Sequence, residues 1–171
     1  MIDLRCKALP NAIEADGRAF LLETDFRVWL DYPRLVTEDP ASLFASLGPV
    51  LTQEVVDQLD LFYSPPQTLP RSSGGANVRT VDWDEDAGRI YAAFLQAYQI
   101  DLLSVDLHWH AFLALFSALP EDTQMVQVQR WRSYTGSDDK ELREYRRMWA
   151  LPEKLTEGEQ QAVDEFNELF G

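Results

Sequence analysis

The chain is poor in the residues that usually build covalent or metal-centred sites. Cys6 is its one cysteine, so no internal disulfide can form. Histidine occurs twice, as His108 and His110. Membrane-length apolar runs are also missing, because the longest candidate, around Phe112, is short and stops at Pro120. The N-terminus lacks the basic-then-apolar layout of a secretory signal, so a cytoplasmic protein is expected. Basic residues are scarce too: 15 Lys and Arg against 29 Asp and Glu give a formal net charge of -14. A surface of that sign repels phosphate, which argues against unaided nucleic-acid binding and leaves an acidic mimic of DNA formally open.

What is present is a normal supply of core. A hydrophobic content of 46% over 171 residues suits one soluble domain spanning 1–171. Its centre is the stretch from Asp82 to Leu119. Ala87, Ile90, Tyr91, Phe94, Leu95 and Tyr98 recur at three- and four-residue steps, which predicts a helix with one apolar stripe. Asp82 and Glu85 have the spacing of a capping box, and Asp84, Glu85 and Asp86 suit the positive end of a helix dipole. A second helix is expected from Asp106 to Pro120. Its residues Leu107, Trp109, Phe112, Leu113, Leu115 and Phe116 leave almost no polar face, so it should be buried on most sides.

Around this pair the chain reads as further helices preceded by a hairpin. Asp16-Gly17 between short alternating segments predicts a β-hairpin over 12–22. Thr24 or Asp25 then caps a helix carrying Phe26, Trp29 and Leu30, which Pro33 breaks or bends. Leu43, Phe44 and Leu47 suggest a helical turn closed by Gly48-Pro49, and Thr52 opens a helix through Val55, Val56, Leu59 and Phe62. Residues 64–80, rich in Pro, Ser and Gly, read as a flexible loop; Gly74-Gly75 lacks the lysine of a phosphate-binding loop. Met125, Val128 and Trp131 mark a helix ending before Gly136, and Asp138 with Glu141 opens another through Leu142, Tyr145, Met148 and Trp149. Thr156 with Glu159 caps a last amphipathic helix, 156–170, whose stripe is Val163, Phe166, Leu169 and Phe170. The fold expected is mainly α: a compact multi-helix domain with a small N-terminal β-hairpin.

Groups able to carry chemistry are few. His108 and His110 invite a metal reading, but helical positions two apart point roughly 200° from each other around the axis, so both rings cannot reach one ion. His108 is expected to pack in the first turn and bond a nearby backbone or carboxylate group, with His110 more exposed. Cys6 shows no activating base, and the acidic run is explained by capping. No catalytic, cofactor-binding or metal-binding residue is assigned, and no enzyme is expected.

Charge is unevenly placed. Arg130, Arg132, Lys140, Arg143, Arg146 and Arg147 cluster in one part of the chain, while the tail carries Glu153, Glu157, Glu159, Asp164, Glu165 and Glu168. The favoured reading is pairing within the fold, part of this charge solvating a face and the rest docking the tail.

Three separated blocks, in order, resemble one family. The runs Ile90 to Leu102 and Leu107 to Phe116 look like the phage "gene product fifteen" family of tail-region proteins, as do Thr24 to Leu30 upstream and Met125 to Tyr134 and Leu142 to Pro152 downstream. The resemblance spans nearly the whole chain apart from the loop after Tyr63 and the last twenty or so residues; His110 stands where the family would more often show an aromatic. It implies a non-enzymatic phage or prophage tail-assembly protein acting in the host cytoplasm. Such a protein would be a chaperone that binds the long tape-measure protein while the tail tube polymerises, or else a structural tail component retained in the virion. Other tail-assembly proteins and a second copy of the chain fit as partners; nucleic acid and membrane do not. The contact expected is the stripe Leu142, Tyr145, Met148 and Trp149 with Arg146 and Arg147 beside it, since aromatics and arginines concentrate interface energy.

Overall fold

The computed structural model describes residues 5–46, 48–64 and 79–152. Two strands, β1 (Ala12–Ala15) and β2 (Arg18–Leu21), pair antiparallel with Ala12 opposite Leu21 and Ala15 opposite Arg18. Asp16 (φ 51°) and Gly17 (φ 71°) both take positive φ, the geometry of the tight hairpin turn that an Asp-Gly pair favours. Seven helices follow among the described residues: α1 (Phe26–Leu30), α2 (Tyr32–Glu38), α3 (Gln53–Tyr63), α4 (Ala87–Tyr98), α5 (Trp109–Ser117), α6 (Gln124–Ser133) and α7 (Lys140–Met148). The mainly helical architecture with an N-terminal hairpin is the one expected. None of these helices is long and apolar enough to cross a membrane.

Local chemistry sets most boundaries. The Asp25 side chain accepts from Arg27 N at 2.9 Å to cap α1, and Thr52 caps α3 through Val55 N at 3.3 Å. Pro33 lies in the first turn of α2, where its missing N–H costs nothing, so the chain breaks at Asp31 rather than bending. A 3-10 turn covers Pro40–Leu43, and Phe44 already leaves it to bridge Leu22. Leu47, residues 65–78 of the loop expected over 64–80 and the helix expected over 156–170 fall outside the described residues.

The start of α5 is corrected from Asp106 to Trp109, for a tertiary reason. Phe26 N donates to Leu107 O at 2.9 Å and Trp109 N donates to Thr24 O at 2.8 Å, a short antiparallel bridge between Asp25 and His108 that holds His108 extended. His108 then becomes the cap residue. The start of α4 moves similarly: Asp82 accepts from Asp84 N and Glu85 N and closes a turn, and the helix begins only at Ala87. Ala87 and Leu95 of the expected stripe are exposed, Leu95 at 45%, and Ala93 takes their place beside Ile90 and Phe94.

The core is an aromatic stack centred on Phe112. Its ring lies 4.8 Å from Phe26, 5.2 Å from Phe94 and 5.7 Å from Trp109, each nearly parallel. Trp83 meets Trp109, Phe112 and Phe116 edge-on. Around this stack α5 packs on α1 and α4, α3 packs on β1, and α6 joins α4 to α7. Trp109 and Phe112 are each 1% exposed. Truncation of either to alanine should cost about 3–5 kcal/mol in a denaturant titration, since an unfilled cavity adds to the lost transfer energy; a loss under about 1 kcal/mol for both would mean that α5 faces solvent or a partner.

Candidate partner-binding face

The face built by α6 and α7 rests on a buried ion pair. Arg132, 5% exposed, sends Nη1 to Asp86 Oδ2 at 2.6 Å and Nη2 to Asp86 Oδ1 at 3.0 Å. Its remaining donors reach Thr80 O at 2.9 Å and, through Nε, Trp149 O at 2.7 Å. Asp86 is itself fully buried and also accepts from Arg89 at 2.9 Å and from Asp82 N at 3.0 Å. Burial pushes the Asp86 carboxyl up, but the hydrogen bonds from Arg132 and Asp82 N and the two guanidinium charges outweigh it and hold it below the usual carboxylate range.

This corrects two expectations. Asp86 is no simple dipole charge, and Arg132 belongs to the buried side of α6 with Met125 and Val128, while Trp131 is half-buried. Helical spacing carried the signal: Arg132 lies four residues after Val128, and Asp86 four residues before Ile90, so each charge sits on an apolar stripe.

The six residues expected to form the contact fall into three groups. Tyr145 and Trp149 stack on Trp131, with ring centroids 4.8 Å and 5.8 Å away, and Arg89 lies over the Trp149 ring at 4.9 Å. Leu142 lines a cleft of about 690 Å³ between the helices, together with Glu121, Val126, Gln127, Arg130 and Trp131. Arg146, Arg147 and Met148 face solvent, Met148 at 71% exposure. α7 is capped by Asp139, which accepts from Leu142 N at 3.0 Å; Asp138, the expected cap, accepts from the Tyr134 hydroxyl at 2.8 Å instead.

The two histidines are structural in different ways. His108 accepts from His110 N through Nδ1 at 3.0 Å and must therefore donate from Nε2 to Pro10 O, 2.8 Å away. His110 is the more buried of the two, at 4% exposure, which reverses the expectation; its side of α5 packs against Phe62, whose carbonyl takes the Nε2 proton at 2.8 Å. That leaves His110 Nδ1 buried without a partner among the described residues. The same residues hold no group of three or more potential metal ligands. Cys6 is exposed and free.

Two predictions follow from these charges. Arg132→Met strands Asp86 and should cost about 3–5 kcal/mol, whereas Asp86→Leu with Arg132→Met should recover much of it, because breaking a buried pair is worse than replacing it; equal losses in a thermodynamic cycle would deny the coupling. Burial is the main cause holding both histidines below their ordinary pKa, so the unfolded chain binds more protons as acid is added. Stability is then complete above about pH 6.5 and falls below it, and protonating His108 Nδ1 also removes the α5 cap. Urea titrations at about pH 7.5 and about pH 5.5 should show that fall, with a shallower slope in His110→Gln, which cannot take up the proton.

Comparison with known proteins adds identity to this geometry. The sequence model of the family described as Bacteriophage Gp15 protein matches residues 53–154, from the first turn of α3 through α7 and just beyond. The hairpin and the opening block Thr24 to Leu30 precede that span. No curated protein and no solved structure matches the chain. Since the match covers well over half of its length, including the buried ion pair and the whole α6–α7 face, the chain belongs to the Bacteriophage Gp15 protein family.

Proposed function

We propose that this phage protein is a non-enzymatic tail-assembly chaperone that binds the tape-measure protein during tail tube formation, with α7 and the cleft beneath it as the contact. The observation that carries the reading is a short amphipathic helix on an otherwise acidic chain, with Met148, Arg146 and Arg147 turned outward beside a cleft floored by Trp131 and Leu142. Long helical partners present apolar stripes that need temporary cover, and a helix laid into a groove is a recurrent way to provide it. Two of the ionisable groups in the core already have their partners, which supports a binding role over a catalytic one: Asp86 is held by two arginines, and both ring nitrogens of His108 are held by backbone groups. Binding in the host cytoplasm, with other tail proteins or a second copy as further partners, belongs to the same proposal. The alternative of a structural tail component uses the same face and differs in whether the protein stays in the particle.

Because Trp149 is tied into the fold, its truncation should weaken folding and binding together. The discriminating variant is Met148→Asp with Arg147→Glu, both exposed: it should abolish co-purification with the tape-measure protein while leaving stability within about 0.5 kcal/mol. Deleting the gene should leave capsids intact and few tails of normal length, with little of the protein in wild-type virions. Retained binding by the double variant would move the contact elsewhere, and a fixed copy number in virions by mass spectrometry would favour the structural component.

A further inference from the structure

We infer that the cleft between α6 and α7 takes about two to three turns of an amphipathic helix from another protein, one whose apolar stripe is flanked by carboxylates. The inference rests on the proposed reading of this face as a contact and deepens it by naming the partner's chemistry. Three observations converge on such an occupant.

The first is where positive charge sits on α7. At about 100° per residue, Arg146, Arg143, Arg147 and Lys140 follow Leu142 round one side of the helix within an arc of about 120°. Tyr145, Glu141 and Glu144 lie round the other side. Tyr145 is committed to its stack on Trp131, whereas Leu142 lines the cleft, so the cationic side is the one that borders it. Arg146, one turn after Leu142, stands next to that lining residue on the same face. From the opposite wall, α6 contributes Arg130 to the lining itself.

The second is that these charges have no carboxylate of their own. Arg130, Arg146 and Arg147 are exposed, and none of them makes an ion pair among the described residues. Arg27, Arg34, Arg79, Arg89 and Arg132, by contrast, each hold one. In a chain of formal net charge -14, where acidic groups outnumber basic ones, arginines gathered at a cleft without a partner complement a carboxylate from outside.

The third is shape. Val126, Trp131 and Leu142 present apolar surface in the cleft of about 690 Å³. Its walls are helices of ten and nine residues, about 14 Å long, which matches apolar anchors at i, i+4 and i+7 of a helix laid between them. Carboxylates beside those anchors would meet Arg130 on one wall and Arg146 on the other. A second copy brings a formal charge of -14 against its own kind, and phosphate would meet the exposed Glu121 of the lining with exposed Asp122 beside it.

The test uses the full chain and labelled synthetic peptides of about 15 residues, which share leucine anchors at i, i+4 and i+7 and carry Glu, Gln or Lys at the flanking positions. Fluorescence anisotropy should give the Glu peptide a Kd at least about tenfold below that of the Gln peptide, with the Lys peptide weakest. Raising salt from about 50 mM to about 500 mM should remove most of that difference. Arg130→Glu with Arg146→Glu should reverse the order, whereas Arg130→Lys with Arg146→Lys should keep it. Glu121→Gln should tighten the Glu peptide by about threefold, a gain that loss of a merely structural residue would not give. No binding of the Glu peptide, or equal Kd values for all three, would overturn the inference. So would an order that the charge reversal leaves unchanged; should that variant unfold, Arg146→Gln alone must lower the preference for Glu over Gln, and an unaltered preference is equally fatal. Tighter binding of a single-stranded oligonucleotide than of the Glu peptide would overturn it in favour of nucleic acid, and a dimer in sedimentation that the charge reversal dissociates would do so in favour of a second copy. Capture of the tape-measure protein separates the two ideas. A preference for the Glu peptide without capture keeps the acidic partner and ends the chaperone reading, and capture without that preference does the reverse.

Discussion

The arrangement of α6 and α7 depends on one buried ion pair. Taking a carboxylate and a guanidinium out of water costs several kcal/mol per ion, recovered only when the geometry is good and the remaining donors are satisfied. Here all three nitrogens of Arg132 are engaged: Nη1 and Nη2 with Asp86, Nη1 also with the carbonyl of Thr80, and Nε with that of Trp149. Four stretches of chain must therefore meet at one point: the approach to α4, its first residue's neighbour Asp86, the end of α6 and the end of α7. A slip of α7 by one turn would leave a buried guanidinium donor without its acceptor. Apolar contacts tolerate small shifts, and this junction does not, so it fixes where the Trp131, Tyr145 and Trp149 stack can form.

The aromatic core is organised differently, around the rings that meet Phe112. Stacked aromatics supply large buried area with only modest directional preference, so they need backbone hydrogen bonds to set their register. The bridge between Thr24–Phe26 and Leu107–Trp109 does this, and Arg27 reinforces it by donating to Leu102 O and Val105 O at 2.9 Å each. The same bridge delivers His108 to the cap of α5 and turns His110 inward beside Phe62.

What could be read from the sequence divides along the same line. The hairpin turn at Asp16-Gly17 and the Thr52 cap follow from interactions within a few residues, so they were legible. The start of α5 was not, because Leu107 looks helical by pattern and is tied instead to a segment some eighty residues earlier. The fate of His110 follows from that shift, since the offset of the helix decides which side faces Phe62. Asp86 and Arg132 were legible in principle from their places on apolar stripes, yet each had a surface explanation, capping for one and solvation for the other. Only their pairing across 46 positions reveals the pair as the anchor of the candidate face. For α7 the amphipathic pattern was readable, whereas its division into a stacked side and an outward side required the position of Trp131.

That division bears on how such a face would work. A nine-residue helix is too short to hold its shape alone in water, so its order must come from packing. Among the described residues α7 packs chiefly on α6, and the ion pair fixes α6 against α4. A partner meeting Met148 and the two arginines would thus meet side chains on a backbone already ordered by contacts elsewhere, which lowers the entropy lost on binding. Charge placement adds selectivity, since Arg146 and Arg147 stand exposed on α7 in a chain whose formal net charge is -14. A partner with an apolar stripe flanked by carboxylates satisfies both conditions, and one with a basic stripe would be drawn to the rest of the surface and away from the cleft.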